Sequence, residues 1–128
     1  MKTNIRIFLI IYCFTAFAAI ASAAVPDAII LAFKAGNSKE LGKYLNASLE
    51  LSILENGDVY SKTQAEILLK DFFQKHNPTN FIILHEGGKE GSRYAIGTLS
   101  TNKGDFRVTF LLKTQDGNSV IHQLRIEK

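Results

Sequence analysis

The sequence predicts an α+β fold, with helices early in the chain and strands late. Two observations predict it. Ser92 to Lys128 divides into three runs that alternate apolar and polar residues. Turns rich in Gly, Asn and Asp separate them, the pattern of a sheet with two different faces. Ahead of these runs, Ala65, Leu68, Leu69, Phe72 and Phe73 recur at helical spacing. That spacing marks an amphipathic helix with one broad apolar side.

The amino terminus reads as an address. Lys2 and Arg6 flank the start of an almost wholly apolar run, Ile7 to Ile20, and Ala21-Ser22-Ala23 supplies a small-x-small cleavage pattern. Residues 1–23 are therefore expected to be a secretory signal peptide. The apolar run falls short of the roughly 20 residues of a spanning helix. Residues 24–128 then form a single exported domain, periplasmic or secreted, with no membrane association after cleavage. Cys13 is the only cysteine and leaves with the leader. The mature chain must hold together by packing, without disulfides. Losing Lys2 and Arg6 lowers the formal charge from +3 to +1. Such near-balance argues against nucleic acid as a partner.

Within the domain, Pro26 opens a first helix with Ile29, Ile30 and Phe33 as its apolar stripe, and Gly36 ends it. Asn37 and Glu40 mark a capping box for a short second helix, which buries Leu41, Tyr44 and Leu45. Ser48 to Leu54 alternates as a strand. Asn56-Gly57 is a strong hairpin-turn signal, with Asp58 to Tyr60 as the return strand. Ser61 and Gln64 form a second capping box, and the long helix runs to about Lys75, where Asn77-Pro78 stops it. Asn80 to His85 is apolar on both faces, as a central strand covered on each side would be. Glu86 to Gly91 follows as a hairpin loop.

The strand faces can be sorted from the turns. With Asn102-Lys103-Gly104 as a three-residue turn, Thr101 lies opposite Asp105. Tyr94, Ile96, Thr98 and Ser100 then share the core face with Phe106, Val108, Phe110 and Leu112. Val120, His122, Leu124 and Ile126 join them from the last strand. The other face carries Leu99, Arg107, Leu111, Ile121 and Arg125. Aliphatics beside arginines have the composition of an interface.

The segments VPDAIILAFKAGNSKELGKYLN, LENGDVYSKTQAEILLKDFF, YAIGTLST, FRVTFLLK and HQLRIEK, taken together, resemble a small exported bacterial family of unknown function. That family lies within the nuclear transport factor 2-like superfamily, the cystatin-like cone. The resemblance spans nearly all of Val25 to Lys128. It implies a curved antiparallel sheet wrapped around a long helix, a pocket between them, and frequent pairing into dimers. It brings no established activity.

Enzymes of the wider superfamily imply a carboxylate or a His–Asp pair inside the pocket, where burial tunes the base. The core-face strand positions hold neither Asp nor Glu, so no catalytic residue is assigned. The alternative, a pocket enzyme of isomerase, dehydratase or hydrolase type, would use His122 with Tyr94. His76, His85 and His122 are scattered without ligand spacing, so neither a metal nor a cofactor is expected. The expectation is a non-catalytic binding or scaffold domain. Its ligand-pocket candidates are Tyr44, Tyr60, His85, Tyr94, Thr98 and His122. The apolar lining would come from Phe72, Ile83, Phe106, Phe110 and Leu112, suiting a small apolar or amphipathic ligand. A homodimer would form through Leu99, Arg107, Leu111, Ile121 and Arg125.

Overall fold

Pro26 precedes the first helix, α1 (Asp27–Ala35), in a computed structural model that describes residues 25–128. The leader assigned to residues 1–23 lies outside the described residues. Gly36 ends α1 at φ 64°, and the cap N–H groups bond back to the carbonyls of Ala32 and Phe33. Only glycine takes that left-handed turn freely, and the Pro78 ring leaves no room for a Cβ there. Asn37 accepts the Glu40 N–H at 3.0 Å and starts α2 (Ser38–Gly42). Ser61 and Gln64 form both halves of a capping box on α3 (Lys62–Lys75). The strands are β1 (Leu45–Ile53), β2 (Asn56–Ser61), β3 (Pro78–Lys89), β4 (Ser92–Thr101), β5 (Gly104–Gln115) and β6 (Asn118–Glu127). This is the α+β architecture the sequence predicts.

Among the described residues the strands form one sheet in the order β2-β1-β6-β5-β4-β3. Every neighbouring pair is antiparallel except β1 and β6, which run parallel. The helices bury their apolar sides against one face of the sheet. Phe33 of α1 is fully buried at the centre. Its ring lies 4.8 Å from Phe81, 5.8 Å from Phe110 and 6.4 Å from Phe73, centroid to centroid. Phe72 stands edge-on to Phe106 at 5.3 Å. The space that the cone reading reserved for a ligand is filled by these rings.

The register of β4 differs from the sequence reading by one residue. Thr101 pairs with Gly104, so the turn holds Asn102 and Lys103 alone. The Thr101 hydroxyl donates to the Gly104 carbonyl at 2.7 Å and accepts the Lys103 N–H at 3.0 Å. A slip of one residue turns every side chain of a strand over. Ala95, Gly97 and Leu99 face the helices and are buried, while Tyr94, Ile96 and Thr98 face away. Gly97 sits beneath the Phe81 ring, where a Cβ would come within 2.9 Å of it. A small residue at that position lets the ring lie down.

Two further faces change for definite reasons. Leu124 and Ile126 point to the core as expected, but Leu112 pairs with Ile121 while Leu111 pairs with Gln123. His122 is the extra residue of a bulge, which re-aims the strand and puts Ile121 rather than Val120 in the core. The first hairpin turns at Leu54-Glu55, and Asn56-Gly57 lies within β2. Turning at Asn56-Gly57 would shift the pairing by four residues, roughly 13 Å along the strand. Ser61, the cap of α3, would then leave its place opposite Ser48, and Phe73 would be carried away from Phe33. Helix packing overrides the local turn signal.

The segment Asn80 to His85 belongs to an edge strand, not a covered central one. Ile82 is 53% and Leu84 67% exposed, while Phe81 is buried. A bulge between Ile83 and His85 breaks the alternation that a covered strand would keep.

Substitution separates the two registers of β4. Leu99→Ala should lower the unfolding free energy by about 2–5 kcal/mol, through lost burial and a residual cavity. Thr98→Ala should change it by no more than about 0.5 kcal/mol. Denaturant melts with unchanged m-values test this, and the reverse ranking would restore the slipped register.

Candidate open-face site

No described element covers the face of the sheet opposite the helices. Strand pairing places there Glu50 and Ser52 of β1, Gln123 and Arg125 of β6, Arg107, Thr109 and Leu111 of β5, and Tyr94, Ile96 and Thr98 of β4. Twist makes this face concave along one direction. It holds a groove of about 590 Å³, lined among others by Glu50, Tyr94, Thr109, Leu111, Gln123 and Arg125. A second concavity of about 230 Å³ continues it past Leu111 to Lys113 and His122.

The polar groups of this face are partly committed. Gln123 donates to the Glu50 carboxylate at 2.9 Å. Arg107 pairs with Glu127 at 3.1 Å. Arg125 has no ion pair among the described residues. Tyr94 folds across β3 over Gly87, leaving no room for a Cβ at that glycine. Its hydroxyl meets His85 Nε2 at 3.2 Å. His122 Nε2 accepts from the Gln115 amide at 3.3 Å. Burial, then the neighbouring Lys113 ammonium, hold the His122 pKa below its ordinary value.

The sequence-derived candidates scatter over three places. Tyr44 and Tyr60 are half-buried and pack against the core on the helix side. His85, Tyr94, Thr98 and His122 lie on the open face, so they do not line a pocket beneath the helices. Only His85 and Tyr94 touch. His122 and Tyr94, the pair an enzyme would need, stand on β6 and β4 with β5 between them. Of the interface candidates, Arg107, Leu111 and Arg125 share the open face. Leu99 and Ile121 are fully buried on the helix side and cannot meet a partner. The turn count misplaced Leu99, and the bulge misplaced Ile121.

One residue, weighed from sequence only as a metal ligand, has a different place. His76 closes α3, with Nδ1 3.0 Å from the Phe72 carbonyl. Its ring stacks on Phe72 at 4.4 Å and stands edge-on to Phe106 at 5.1 Å. The signal was available, because His76 continues the helical spacing of Leu69, Phe72 and Phe73 by one more step.

A family model described as "Domain of unknown function (DUF4783)" matches residues 26–127. A DUF4783 family protein from Bacteroides uniformis is 39% identical, with 82% of this chain and 97% of that one covered and a TM-score of 0.77. One from Bacteroides fragilis is 34% identical over 82% of this chain and 99% of that one, with a TM-score of 0.78. An NTF2-like protein of unknown function from Cytophaga hutchinsonii is 11% identical over 83% and 92% of the two chains, with a TM-score of 0.56, and shares the fold. No functionally curated protein matches the sequence.

The depressed His122 pKa carries a sign for stability. The unfolded chain, titrating near the ordinary 6.5, binds the proton more readily than the folded chain. Stability from this group is fully present above that value and is lost as pH falls through the lower folded value. The denaturant midpoint should therefore drop further between about pH 8 and about pH 5 in the wild type than in His122→Gln. Parallel pH profiles would show that His122 titrates alike in both states.

Proposed function

This chain belongs to the DUF4783 family and has an NTF2-like fold, and from that premise we propose that it is an exported, non-catalytic scaffold domain that self-associates through the open face of its sheet. The observation that carries the reading is the contrast between the two faces. The helix side is filled with aromatic rings. The open side leaves Val59 61% and Tyr94 37% exposed, beside half-buried Leu111 and an Arg125 without an ion-pair partner among the described residues. Six strands at roughly 4.8 Å spacing, with about 3.3 Å per residue, give a face on the order of 25 by 30 Å. A standard interface needs roughly 800 Å² per partner. Two twisted sheets pack face to face in the manner of a sandwich, and both signs of charge on this face allow it to meet its own copy.

Export rests on the leader pattern of residues 1–23. Expressed from its full gene in a Gram-negative host, the chain should be recovered from the periplasm with Ala24 as its first residue. Full-length protein in the cytoplasm or the inner membrane would remove export from this reading.

Sedimentation tests the self-association. The wild-type domain should run as a dimer at micromolar concentration, and Leu111→Lys should run as a monomer with an unchanged circular dichroism spectrum. A lysine at the centre of two apposed sheets would be stripped of water, and Glu50 on the same face is already held by Gln123. A monomeric wild type would overturn the scaffold reading. A Leu111→Lys dimer would move the interface to another surface.

A further inference from the structure

Between α3 and the β1–β2 hairpin lies a slot of about 220 Å³, on the opposite side of the sheet from the open-face groove. Its apolar walls include Leu51, Ile53, Leu54, Tyr60, Leu68 and Phe72. The ionisable groups lining it are Tyr60, Asp71, Lys75 and His76. Asp71 and Lys75 pair with each other at 3.0 Å, so the two fixed charges cancel. That disfavours an ionic ligand. The volume is below the roughly 300–1,000 Å³ of sites for drug-sized molecules, which restricts an occupant to about one ring.

His76 gives the slot a direction. The Phe72 carbonyl can only accept, so Nδ1 carries the ring proton. The neutral ring then presents a lone pair at Nε2, which has no protein partner among the described residues. Stacking on Phe72 and the edge contact with Phe106 fix the ring plane. The slot thus offers apolar walls, with His76 Nε2 as an acceptor whose ring plane is fixed, alongside the Asn56 amide and the Tyr60 hydroxyl.

Leu54 supplies the lip. It holds φ 57°, a left-handed conformation that leucine adopts with strain, and remains 42% exposed. Its N–H is tied to the Ile126 carbonyl at 2.7 Å, so the strained residue is fixed rather than free. An asparagine there would relieve the backbone and remove an exposed apolar group from solvent. Strain kept together with an exposed apolar side chain points to a use for that side chain.

We propose that this slot binds an uncharged single-ring molecule bearing one hydroxyl donor, a simple phenol being the type, with the hydroxyl on His76 Nε2 and the ring under Leu54. The site does not depend on association through the open face.

The test uses p-cresol and its methyl ether, 4-methylanisole, with the isotope-labelled domain at about pH 8. Titration with p-cresol should shift the amide resonances of Leu54, Phe72 and His76 saturably. The ether, which lacks the donor, should bind about tenfold more weakly, the scale of one net hydrogen bond at a partly exposed acceptor. His76→Phe keeps a ring on Phe72 and should abolish the difference between the two probes. Leu54→Asn should be at least as stable as wild type, yet bind both probes more weakly. Absence of saturable shifts at these residues, equal affinity for phenol and ether, or unchanged binding by Leu54→Asn would each overturn the proposal. A monomeric wild type that still binds p-cresol would leave this site standing and remove only the scaffold reading.

Discussion

The rest of the fold depends on the burial of one ring. Phe33 of α1 touches Phe73 of α3, Phe81 of β3 and Phe110 of β5. A single side chain thereby joins the first helix, the long helix, an edge strand and an inner strand. No cysteine follows Cys13, so nothing covalent shares this task. Aromatic rings suit it because each buries a large area in few rotatable bonds, and tilted or edge-on contacts add to the area term. The same packing has a consequence for function. Phe33, Phe73, Phe81 and Phe110 fill the space beneath α1 and leave no room for a ligand there. The concavities described above lie instead on the open face and in the slot between α3 and the β1–β2 hairpin.

Much of the fold was legible because its signals are local. The N-cap bond of Asn37 and the full capping box at Ser61 mark the starts of α2 and α3, and the Phe72-Phe73 stripe marks the buried side of the long helix. Phe106, Val108, Phe110 and Leu112 alternate cleanly and do face the core. What failed was register, which is a relation between strands. The string Asn102-Lys103-Gly104 is compatible with a turn of two or three residues, and that choice alone decides which side of β4 is buried. Nothing within β4 settles it, since Ala95, Gly97 and Leu99 compete with Tyr94, Ile96 and Thr98, and the larger set is the wrong one. The small residues win because Phe81 occupies the space above Gly97. That fact belongs to a neighbouring strand and cannot be read from β4 itself.

The candidate site was legible only in part, for the same reason. Arg107, Leu111 and Arg125 were placed together correctly, since each lies on a stretch of β5 or β6 whose alternation is regular. His122 was not, because a bulge adds a residue at that point and bulges have no compositional mark here. His85 and Tyr94 do come together, although on the open face and across a bulged edge strand. Polar side chains expected to give an interior pocket its specificity therefore ornament an exterior groove. An exterior groove lacks the enclosure that would exclude water from a reacting group.

Two of the hairpin turns that use left-handed residues make an instructive contrast. Between β5 and β6, Asp116 takes φ 52° and Gly117 takes φ 79°, residue types that tolerate that region. Between β1 and β2 the same region falls to Leu54, at a cost of about 1–2 kcal/mol for an ordinary side chain. Packing of α3 explains why the turn sits where it does. It does not explain the leucine, because asparagine or glycine could occupy the identical backbone without moving α3. Local rules that are broken without structural need tend to mark functional positions. The leucine side chain stands over a slot where His76 Nε2 has no hydrogen-bond partner among the described residues. Two unexplained features meeting in one place are better accounted for by a shared occupant than by two separate accidents.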